Sequence, residues 1–174
     1  MKVSRIFQIM LLTAVASVCV FAQQAKPVAE SFSSLNMNGE TVELESLRGK
    51  VVLITFWSTK CAICISEIPK LNQMAAGFKD RDVVFLGLTT DNPTLVESFT
   101  KNRPFNFSLV PSSFGTLLKY ADRDRAGNLN MGFPAYFVVN QQGEIELKTS
   151  GWDKTNAVSA QINRLLVTGQ AKVE

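Results

Sequence analysis

The sequence predicts an α/β fold in which helices cover a β-sheet, and three features of the chain indicate it. Residues 51–57 and 82–88 are apolar runs with the length of buried strands. Stretches whose apolar residues recur at spacings of three and four, as on one face of a helix, follow these runs. Near the C-terminus, residues 135–149 form two strand-like runs around a short turn, with a last helical pattern after them. Strands and helices in this order are typical of an α/β sandwich.

Residues 1–22 have the pattern of a secretory signal peptide. Lys2 and Arg5 give the segment a basic start, residues 6–21 are mostly apolar, and Val20-Phe21-Ala22 matches a cleavage site. We expect cleavage after this motif and export to the periplasm. An uncleaved membrane anchor is the alternative, although the apolar run is short for a membrane span.

The rest of the chain is expected to form a short linker at 23–30 and one domain at 31–170, which is long enough for a real hydrophobic core. Loss of the two basic residues Lys2 and Arg5 lowers the formal net charge from +3 to +1. A charge this small gives no indication of the strongly basic surface of a nucleic-acid-binding protein, so we expect no nucleic acid partner.

The domain is predicted to open with a β-hairpin that leads into a central strand. Residues 31–35 and 41–44 alternate polar and apolar side chains around Asn38-Gly39, which is a strong turn signal. Arg48-Gly49-Lys50 then turns the chain into the apolar run at 51–57. A helix is expected after that strand. Its apolar residues, at spacings of three and four, are Ile65, Ile68, Leu71, Ala75 and Phe78.

The second half of the chain supplies the other strands and helices. Residues 82–88 are almost continuously apolar, as expected in a parallel sheet covered on both faces. Asn92-Pro93 is a typical helix start, and we expect Leu95, Val96 and Phe99 of that helix to face the core. The further predicted elements are a strand at 105–110, a helix from Ser112 or Ser113, a solvated charged loop at 122–128, strands at 135–140 and 144–149, and a helix capped by Asp153 that ends near Gly169.

Cys61 and Cys64 lie two residues apart, where the central strand is predicted to give way to the first helix. At the start of a helix, unpaired backbone N–H groups and the positive end of the dipole stabilise a thiolate. The thiolate is the nucleophile in disulfide exchange. The spacing also allows the second thiol to attack a mixed disulfide formed on the first. The pair therefore predicts redox chemistry.

Two other interpretations of the cysteine pair have to be considered. A zinc site needs two further ligands, whereas the chain has no histidine and its only other cysteine, Cys19, lies in the predicted signal peptide. We therefore expect no metal. A purely structural disulfide stays open, although so short a loop gains little from loop closure.

Glu67 follows Cys64 by three residues and is expected on the same side of the helix, one turn along. It shares a stripe with Leu71, Met74 and Phe78, so its carboxyl is expected to be partly desolvated. Such a group suits proton exchange with the second thiol. An ordinary exposed glutamate is the alternative that spacing alone leaves open.

About residues 28–168 resemble the exported bacterial thioredoxin-like thiol:disulfide oxidoreductases of the TlpA/ResA group. The residues that carry the resemblance are Gly49 to Leu53, Phe56-Trp57, Cys61-x-x-Cys64, Glu67 with Pro69, and Gly132-Phe133-Pro134 before residues 135–140 and Gly143. The resemblance implies a thioredoxin fold, with a central mixed sheet flanked by helices and an N-terminal β-hairpin.

The resemblance also implies how the site contacts its substrate. In the family, the proline that matches Pro134 is cis and faces the cysteine pair. The residue before it, here Phe133, offers backbone hydrogen bonds to a substrate peptide. Trp57, Phe133 and Pro134 are therefore expected to shape the contact surface. The glutamate that matches Glu67 is an active-site carboxylate in the cytochrome-maturation members.

The chain departs from the family pattern at several positions near the cysteines. Lys60 stands where a tryptophan is common, and Ile63 stands where a proline is common. The buried aspartate of cytoplasmic thioredoxins falls at Thr55, which cannot titrate, so Glu67 is the carboxyl candidate on this helix. Lys60 is expected to modulate the Cys61 thiolate, although an exposed lysine contributes little.

The sequence thus predicts an exported oxidoreductase that reduces protein disulfides, in cytochrome c maturation or in general thiol homeostasis. Cys61 attacks the substrate disulfide, Cys64 resolves the mixed disulfide, and the pair needs no cofactor. The expected partners are protein thiols and disulfides, and an electron donor that is exported or in the membrane. A thioredoxin-fold binding protein with a stable disulfide is the alternative. The peroxidase branch fits less well, because residues 58–60 lack the proline and threonine spacing before a peroxidatic cysteine.

Overall fold

The structure is a computed structural model that describes residues 26–170. The predicted signal peptide at 1–22 lies outside the described residues, as does the beginning of the predicted linker at 23–25. Within the part of the chain that is described, no helix has the length and apolar character needed to cross a membrane.

The described chain contains nine strands, four α-helices and one short 3-10 helix. The strands are β1 (Ser33–Leu35), β2 (Thr41–Glu43), β3 (Val51–Trp57), β4 (Val83–Thr89), β5 (Ser108–Val110), β6 (Asp122–Arg123), β7 (Leu129–Asn130), β8 (Ala135–Val139) and β9 (Ile145–Ser150). The α-helices are α1 (Ala62–Gly77), α2 (Pro93–Thr100), α3 (Phe114–Tyr120) and α4 (Thr155–Gln170), and the 3-10 helix is Glu45–Leu47.

Five of these strands form a mixed sheet in the order β5-β4-β3-β8-β9. The central strand β3 pairs in parallel with β4 and antiparallel with β8. β5 extends the parallel side and β9 the antiparallel side. β1 and β2 form a separate hairpin, whose turn holds Gly39 at a φ of +79° that glycine adopts without strain. The predicted mixed sheet with an N-terminal hairpin is confirmed.

Helices cover both faces of the sheet, and as a result all seven residues of β3 are buried. Side chains alternate between the two faces of a strand. Ile54 and Phe56 therefore pack in the layer that contains α3, whereas Leu53 packs in the layer that contains α1 and α4. Trp57, at the end of β3, joins a third cluster with Cys64. The core thus fixes the strand end that leads to the cysteines.

The first described residues belong to this sheet layer rather than standing apart from it. The Ala29 N–H donates to the Gly143 carbonyl at 2.9 Å, and the Ile145 N–H donates to the Pro27 carbonyl at 2.8 Å. The described end of the predicted linker therefore lies against the turn between β8 and β9.

Two predicted details of the α2–β5 region are wrong. Leu95 is 39% exposed, while Val96 is fully buried, because the eight-residue helix α2 buries only a narrow face. β5 begins at Ser108 rather than at residue 105. The aromatic ring of Phe105 instead packs on Trp57, with 4.7 Å between the ring centroids. Phe105 therefore contributes to the core through its ring and not as a residue of the predicted strand.

The predicted cap of the last helix is also wrong. α4 begins at Thr155, and the Val158 N–H donates to the Lys154 carbonyl at 3.0 Å. Asp153 has a φ of +56°, in the left-handed region, and lies one residue too early to cap the helix. Its carboxylate instead accepts a hydrogen bond from Lys70 Nζ at 3.0 Å.

Gly87, in the middle of β4, offers a test of the core beside Trp57. A Cβ at this position would lie 2.6 Å from Leu109 Cδ2 and 3.2 Å from Trp57 Nε1. Because both neighbours are themselves buried, we predict that Gly87→Ala lowers the free energy of unfolding by about 1–3 kcal/mol, as overpacked cores do. Urea denaturation of the oxidised protein measures this difference.

Gly115→Ala on α3 is the matched control, because nothing lies within 4 Å of a Cβ at that position. Alanine in a helix is more stable than glycine by about 0.5–1 kcal/mol, so this variant should be at least as stable as the unchanged protein. If both variants kept the stability of the unchanged protein, the close packing around Gly87 would be refuted.

Candidate active site

The two cysteines lie where β3 ends and α1 begins. Cys61 is the N-cap residue of α1. The Cys64 N–H donates to Cys61 Sγ at 3.1 Å, and the Ile65 N–H donates to the Cys61 carbonyl at 3.0 Å. A disulfide joins the cysteines, whose Cα atoms are 5.2 Å apart. The N-terminus of a helix favours a thiolate, and here the Cys64 N–H is the donor that faces Cys61 Sγ.

The two cysteine residues differ in their accessibility. Cys64 is 2% exposed and belongs to a buried cluster with Trp57, Val96 and Leu109. Cys61 is only partly buried and packs on the edge of that cluster. A group that arrives from solvent therefore meets Cys61 first.

A carboxylate from the neighbouring strand holds the loop that leads to Cys61. Asp91 Oδ2 accepts hydrogen bonds from the Thr59 N–H at 2.7 Å, the Thr89 hydroxyl at 3.2 Å and the Ser58 hydroxyl at 3.3 Å. Partial burial raises the pKa of Asp91, but these hydrogen bonds outweigh burial and hold the pKa below its ordinary value. The strand-to-helix turn is thus anchored to the carboxyl end of β4.

The loop before β8 reaches the same cluster. The Phe133-Pro134 peptide bond is cis, as the family resemblance implied. Pro134 is buried, and its carbonyl accepts a hydrogen bond from the Gly151 N–H at 2.8 Å, which ties the loop to the end of β9. Phe133 is partly buried and packs against the cluster on whose edge Cys61 lies. The structure therefore brings this loop and the cysteine pair onto one cluster.

Trp57 packs in the buried cluster beneath the surface at the cysteine pair, together with Cys64. It is 2% exposed, and its ring packs against Phe99 and Phe105 with centroid distances of 5.5 Å and 4.7 Å. In this oxidised form the indole has almost no surface to offer a partner. Among the predicted contact residues, Phe133 is the one that is partly accessible.

Glu67 is more deeply buried than its spacing predicted, with an exposure of 0%. Its Oε1 accepts a hydrogen bond from Lys70 Nζ at 3.1 Å. Its Oε2 is buried and has no hydrogen-bond partner within residues 26–170. The interpretation as an ordinary exposed glutamate is therefore wrong, and the carboxyl lies on the same buried face of α1 as Cys64.

Tyr136 on β8 is the buried neighbour of Glu67. Burial and, after it, the charge of Glu67 raise the pKa of Tyr136. Its hydroxyl likewise has no partner within the described residues. In the sheet Tyr136 lies opposite Thr55, the position of the aspartate in cytoplasmic thioredoxins. The carboxyl at this site therefore comes from the helix rather than from β3.

Lys60, the predicted modulator, is exposed. Its backbone N–H donates to the Ser58 hydroxyl at 3.3 Å, which adds to the order of the loop. Between residues 26 and 170, no group of three His, Cys, Asp or Glu side chains is arranged to hold a metal ion.

The sequence analysis missed Asp91, Lys70 and Tyr136. Asp91 lies two residues after the end of an apolar strand, and polar side chains at the carboxyl ends of adjacent parallel strands meet at one edge of a sheet. Lys70 lies three residues after Glu67, a spacing at which side chains on a helix meet. Tyr136 gave no such signal, because its contact with Glu67 joins elements that are distant in sequence.

Comparisons with known proteins agree with this geometry. A model of the AhpC/TSA family matches residues 25–148, more than half of the chain. The thiol-disulfide oxidoreductase ResA of a Bacillus cereus strain is 27% identical over 125 residues, which cover 71% of this chain and 68% of the relative.

Two solved structures are similar to this one. The thioredoxin domain of a thiol-disulfide oxidoreductase from Bacteroides vulgatus has a TM-score of 0.66 at 26% identity, and the match covers 81% of this chain and 100% of that chain. A thiol:disulfide interchange protein of the thioredoxin family from Chlorobium tepidum TLS has a TM-score of 0.71 at 22% identity, covering 83% and 99%. The predicted thioredoxin fold is confirmed, and on the family match the chain belongs to the AhpC/TSA family.

Proposed function

We propose that the protein is a thiol:disulfide oxidoreductase that reduces protein disulfides outside the cytoplasm, with Cys61 and Cys64 as its redox group. The observation that carries this proposal is the asymmetry of the pair. A partly accessible sulfur at the N-cap of α1 is joined to a buried sulfur one turn further along. The name of the Bacillus cereus relative, a thiol-disulfide oxidoreductase, supports the same activity.

The reaction proceeds in two exchanges. The Cys61 thiolate attacks one sulfur of the substrate disulfide, a mixed disulfide forms, and the first substrate thiolate leaves and takes up a proton. Cys64 then loses its proton, and its thiolate attacks Cys61 Sγ. The Cys61–Cys64 disulfide forms, and the second substrate thiolate leaves and is protonated. The substrate gains two electrons and two protons, and the cysteine pair loses them.

Glu67 assists the second exchange by accepting the proton of Cys64. Its carboxyl is fully buried on the face of α1 that carries Cys64. In that environment solvent does not reach the thiol, so a nearby base is needed to form the thiolate. Phe133 and Pro134 contribute the contact surface for the substrate peptide, and Trp57 supports it from below. Lys60 adds a minor electrostatic contribution to the Cys61 thiolate.

Export of the domain at 31–170 follows from the predicted signal peptide at 1–22. An oxidising compartment converts dithiols to disulfides, so a reductase there needs a continuous supply of electrons. We therefore propose an electron donor that is itself exported or embedded in the membrane. Cytochrome c maturation and general thiol homeostasis are the settings in which such a reductase would act.

We predict that Cys64→Ser accumulates a mixed disulfide through Cys61, because attack proceeds but resolution does not. Cys61→Ser should form almost none, because Cys64 is buried. The reduced variants are mixed with insulin, and the adducts are measured by non-reducing electrophoresis and mass spectrometry. Equal yields from both variants would contradict the assignment of Cys61. Failure of the unchanged protein to reduce insulin with dithiothreitol would favour a structural disulfide.

We predict that Asp91→Asn lowers the free energy of unfolding by about 1–3 kcal/mol and slows insulin reduction, because the loop before Cys61 loses its ionised acceptor. The folded-state pKa of Asp91 lies below the unfolded value of about 3.9, so its contribution is present above that pH and is lost as the pH falls through the folded value. Urea denaturation from pH 7 to pH 3 should show a smaller loss of stability in the variant.

Asp124→Asn is the control for this prediction. Asp124 also accepts three hydrogen bonds within a loop, from the N–H groups of Ala126 and Asn128 and from the Asn128 amide, and its pKa is also lowered. Its loop is exposed and forms no part of the site. Insulin reduction should therefore be unchanged in Asp124→Asn, and an equal loss of rate in both variants would refute a specific role for Asp91.

A further inference from the structure

We propose that Lys70, held by Asp153, is a positioning residue that orients Glu67 and sets the pH dependence of the Cys61–Cys64 couple. The inference rests on the proposed function, since it gives a reason for the buried carboxyl that the thiol exchange uses. Within residues 26–170, the hydrogen bonds of the Lys70 ammonium go to Glu67 and Asp153 and none goes to a cysteine, so we expect Lys70 to act through Glu67.

The three charged groups form a chain from the interior to the surface. Lys70 Nζ donates to Glu67 Oε1 at 3.1 Å and to Asp153 Oδ1 at 3.0 Å. The side chain of Glu67 is 0% exposed, whereas those of Lys70 and Asp153 are 41% and 61% exposed. The Lys70 ammonium also lies 5.7 Å from the ring centroid of Trp152. Lys70 is thus held on its outer side while it reaches the buried carboxyl.

The two carboxyl oxygens of Glu67 have different environments. Oε1 is occupied by Lys70, and Oε2 is buried without a partner in the described residues. A buried carboxylate oxygen without a hydrogen bond is costly, so an unpaired oxygen on the buried helix face that also carries Cys64 points to a functional use. Oε2 is the oxygen left to accept the proton of Cys64, which lies one turn away on the same face of α1.

Asp153 is placed for this contact by an unusual backbone. Its φ of +56° is one that few residues other than glycine adopt, and it follows Gly151 at φ +90°. Together, these two residues of positive φ turn the chain from β9 into α4. The Asp153 carboxylate then lies within hydrogen-bond distance of Lys70. Hydrogen bonds to Asp153 and to Glu67 raise the pKa of Lys70, so the bridging cation stays charged over the range in which thiols titrate.

The titratable and charged groups around Glu67 come from three elements. Cys64 and Lys70 lie on α1, Tyr136 lies on β8, and Asp153 lies in the segment before α4. β3 contributes Thr55, which does not titrate. Lys70 is the cation of this group, and a cation favours the charged form of a nearby carboxyl. In Lys70→Met the buried Glu67 carboxyl would lose its paired cation and the hydrogen bond on Oε1.

The test is the reduction potential of the Cys61–Cys64 pair, measured from pH 5 to pH 9 in dithiothreitol or glutathione buffers with alkylation of the thiols. The plot of reduction potential against pH changes slope at a certain pH. We expect Lys70→Met to raise that pH by about one unit. Lys70→Arg, which keeps the charge, and Asp153→Asn, which removes only the outer contact, should give smaller shifts. Lys101→Met is the control, because Lys101 pairs at 4.0 Å with Glu97 and both side chains are exposed, so no buried carboxyl loses its partner.

A double variant separates an effect through Glu67 from a general loss of charge. In the Glu67→Gln background, Lys70→Met should produce no further shift. A Lys70→Met curve that overlays that of the unchanged protein, or a shift of equal size in the Glu67→Gln background, would overturn the proposal. If Lys70→Met does not fold by circular dichroism, the same criteria apply to Asp153→Asn, which removes the outer contact of Lys70.

Insulin reduction by the same samples keeps the two proposals apart. Reversible titration with the expected shift, but without insulin reduction by the unchanged protein, would refute the oxidoreductase function and support the role of Lys70. Normal insulin reduction without the shift would support the function and refute the role of Lys70.

Discussion

The site depends on the position of one sulfur atom at the first turn of α1. Cys61 Sγ accepts the Cys64 N–H at 3.1 Å, so the N-terminus of the helix stabilises negative charge where attack is proposed to begin. That position is fixed from two sides. β3 is buried on both faces up to Trp57, and Asp91 on the adjacent strand end holds the loop at Ser58 and Thr59. The sheet therefore determines where the helix starts, and the start of the helix is the reason for proposing Cys61 as the cysteine that reacts.

Burial of the Glu67 carboxyl explains why it is linked to the charged side chains of Lys70 and Asp153. A carboxylate that is fully removed from water is unfavourable unless it is paired and hydrogen-bonded. Lys70 supplies that pairing for Glu67 and, being partly exposed, spans the distance from the interior to Asp153 at the surface. The network links α1 to the segment before α4. The contact with Lys70 occupies Oε1 and leaves Oε2 as the oxygen that we propose accepts the proton of Cys64.

Local patterns in the sequence were sufficient for the framework of the fold and for the cysteine pair. The run at 51–57 became β3 without a change of bounds, and Cys61 lies at the N-cap of the helix that follows. Burial of Glu67 was underestimated, because spacing along α1 does not reveal what packs against that helix. The pairing of Lys70 with Asp153 and the approach of Tyr136 depend on the packing of α1 against β8 and α4, which are distant in sequence.

Alkylation of the reduced protein with iodoacetamide tests the central claim most directly, namely that the N-terminus of α1 makes Cys61 the nucleophile. Mass spectrometry of the labelled peptides follows each cysteine separately as the pH is raised. The account predicts that Cys61 reacts at neutral pH, which is well below the pKa of about 8.5 of a free cysteine thiol. Cys64 should stay protected by burial. Reaction of Cys64 first, or of neither cysteine until the pH approaches that of a free thiol, would contradict it.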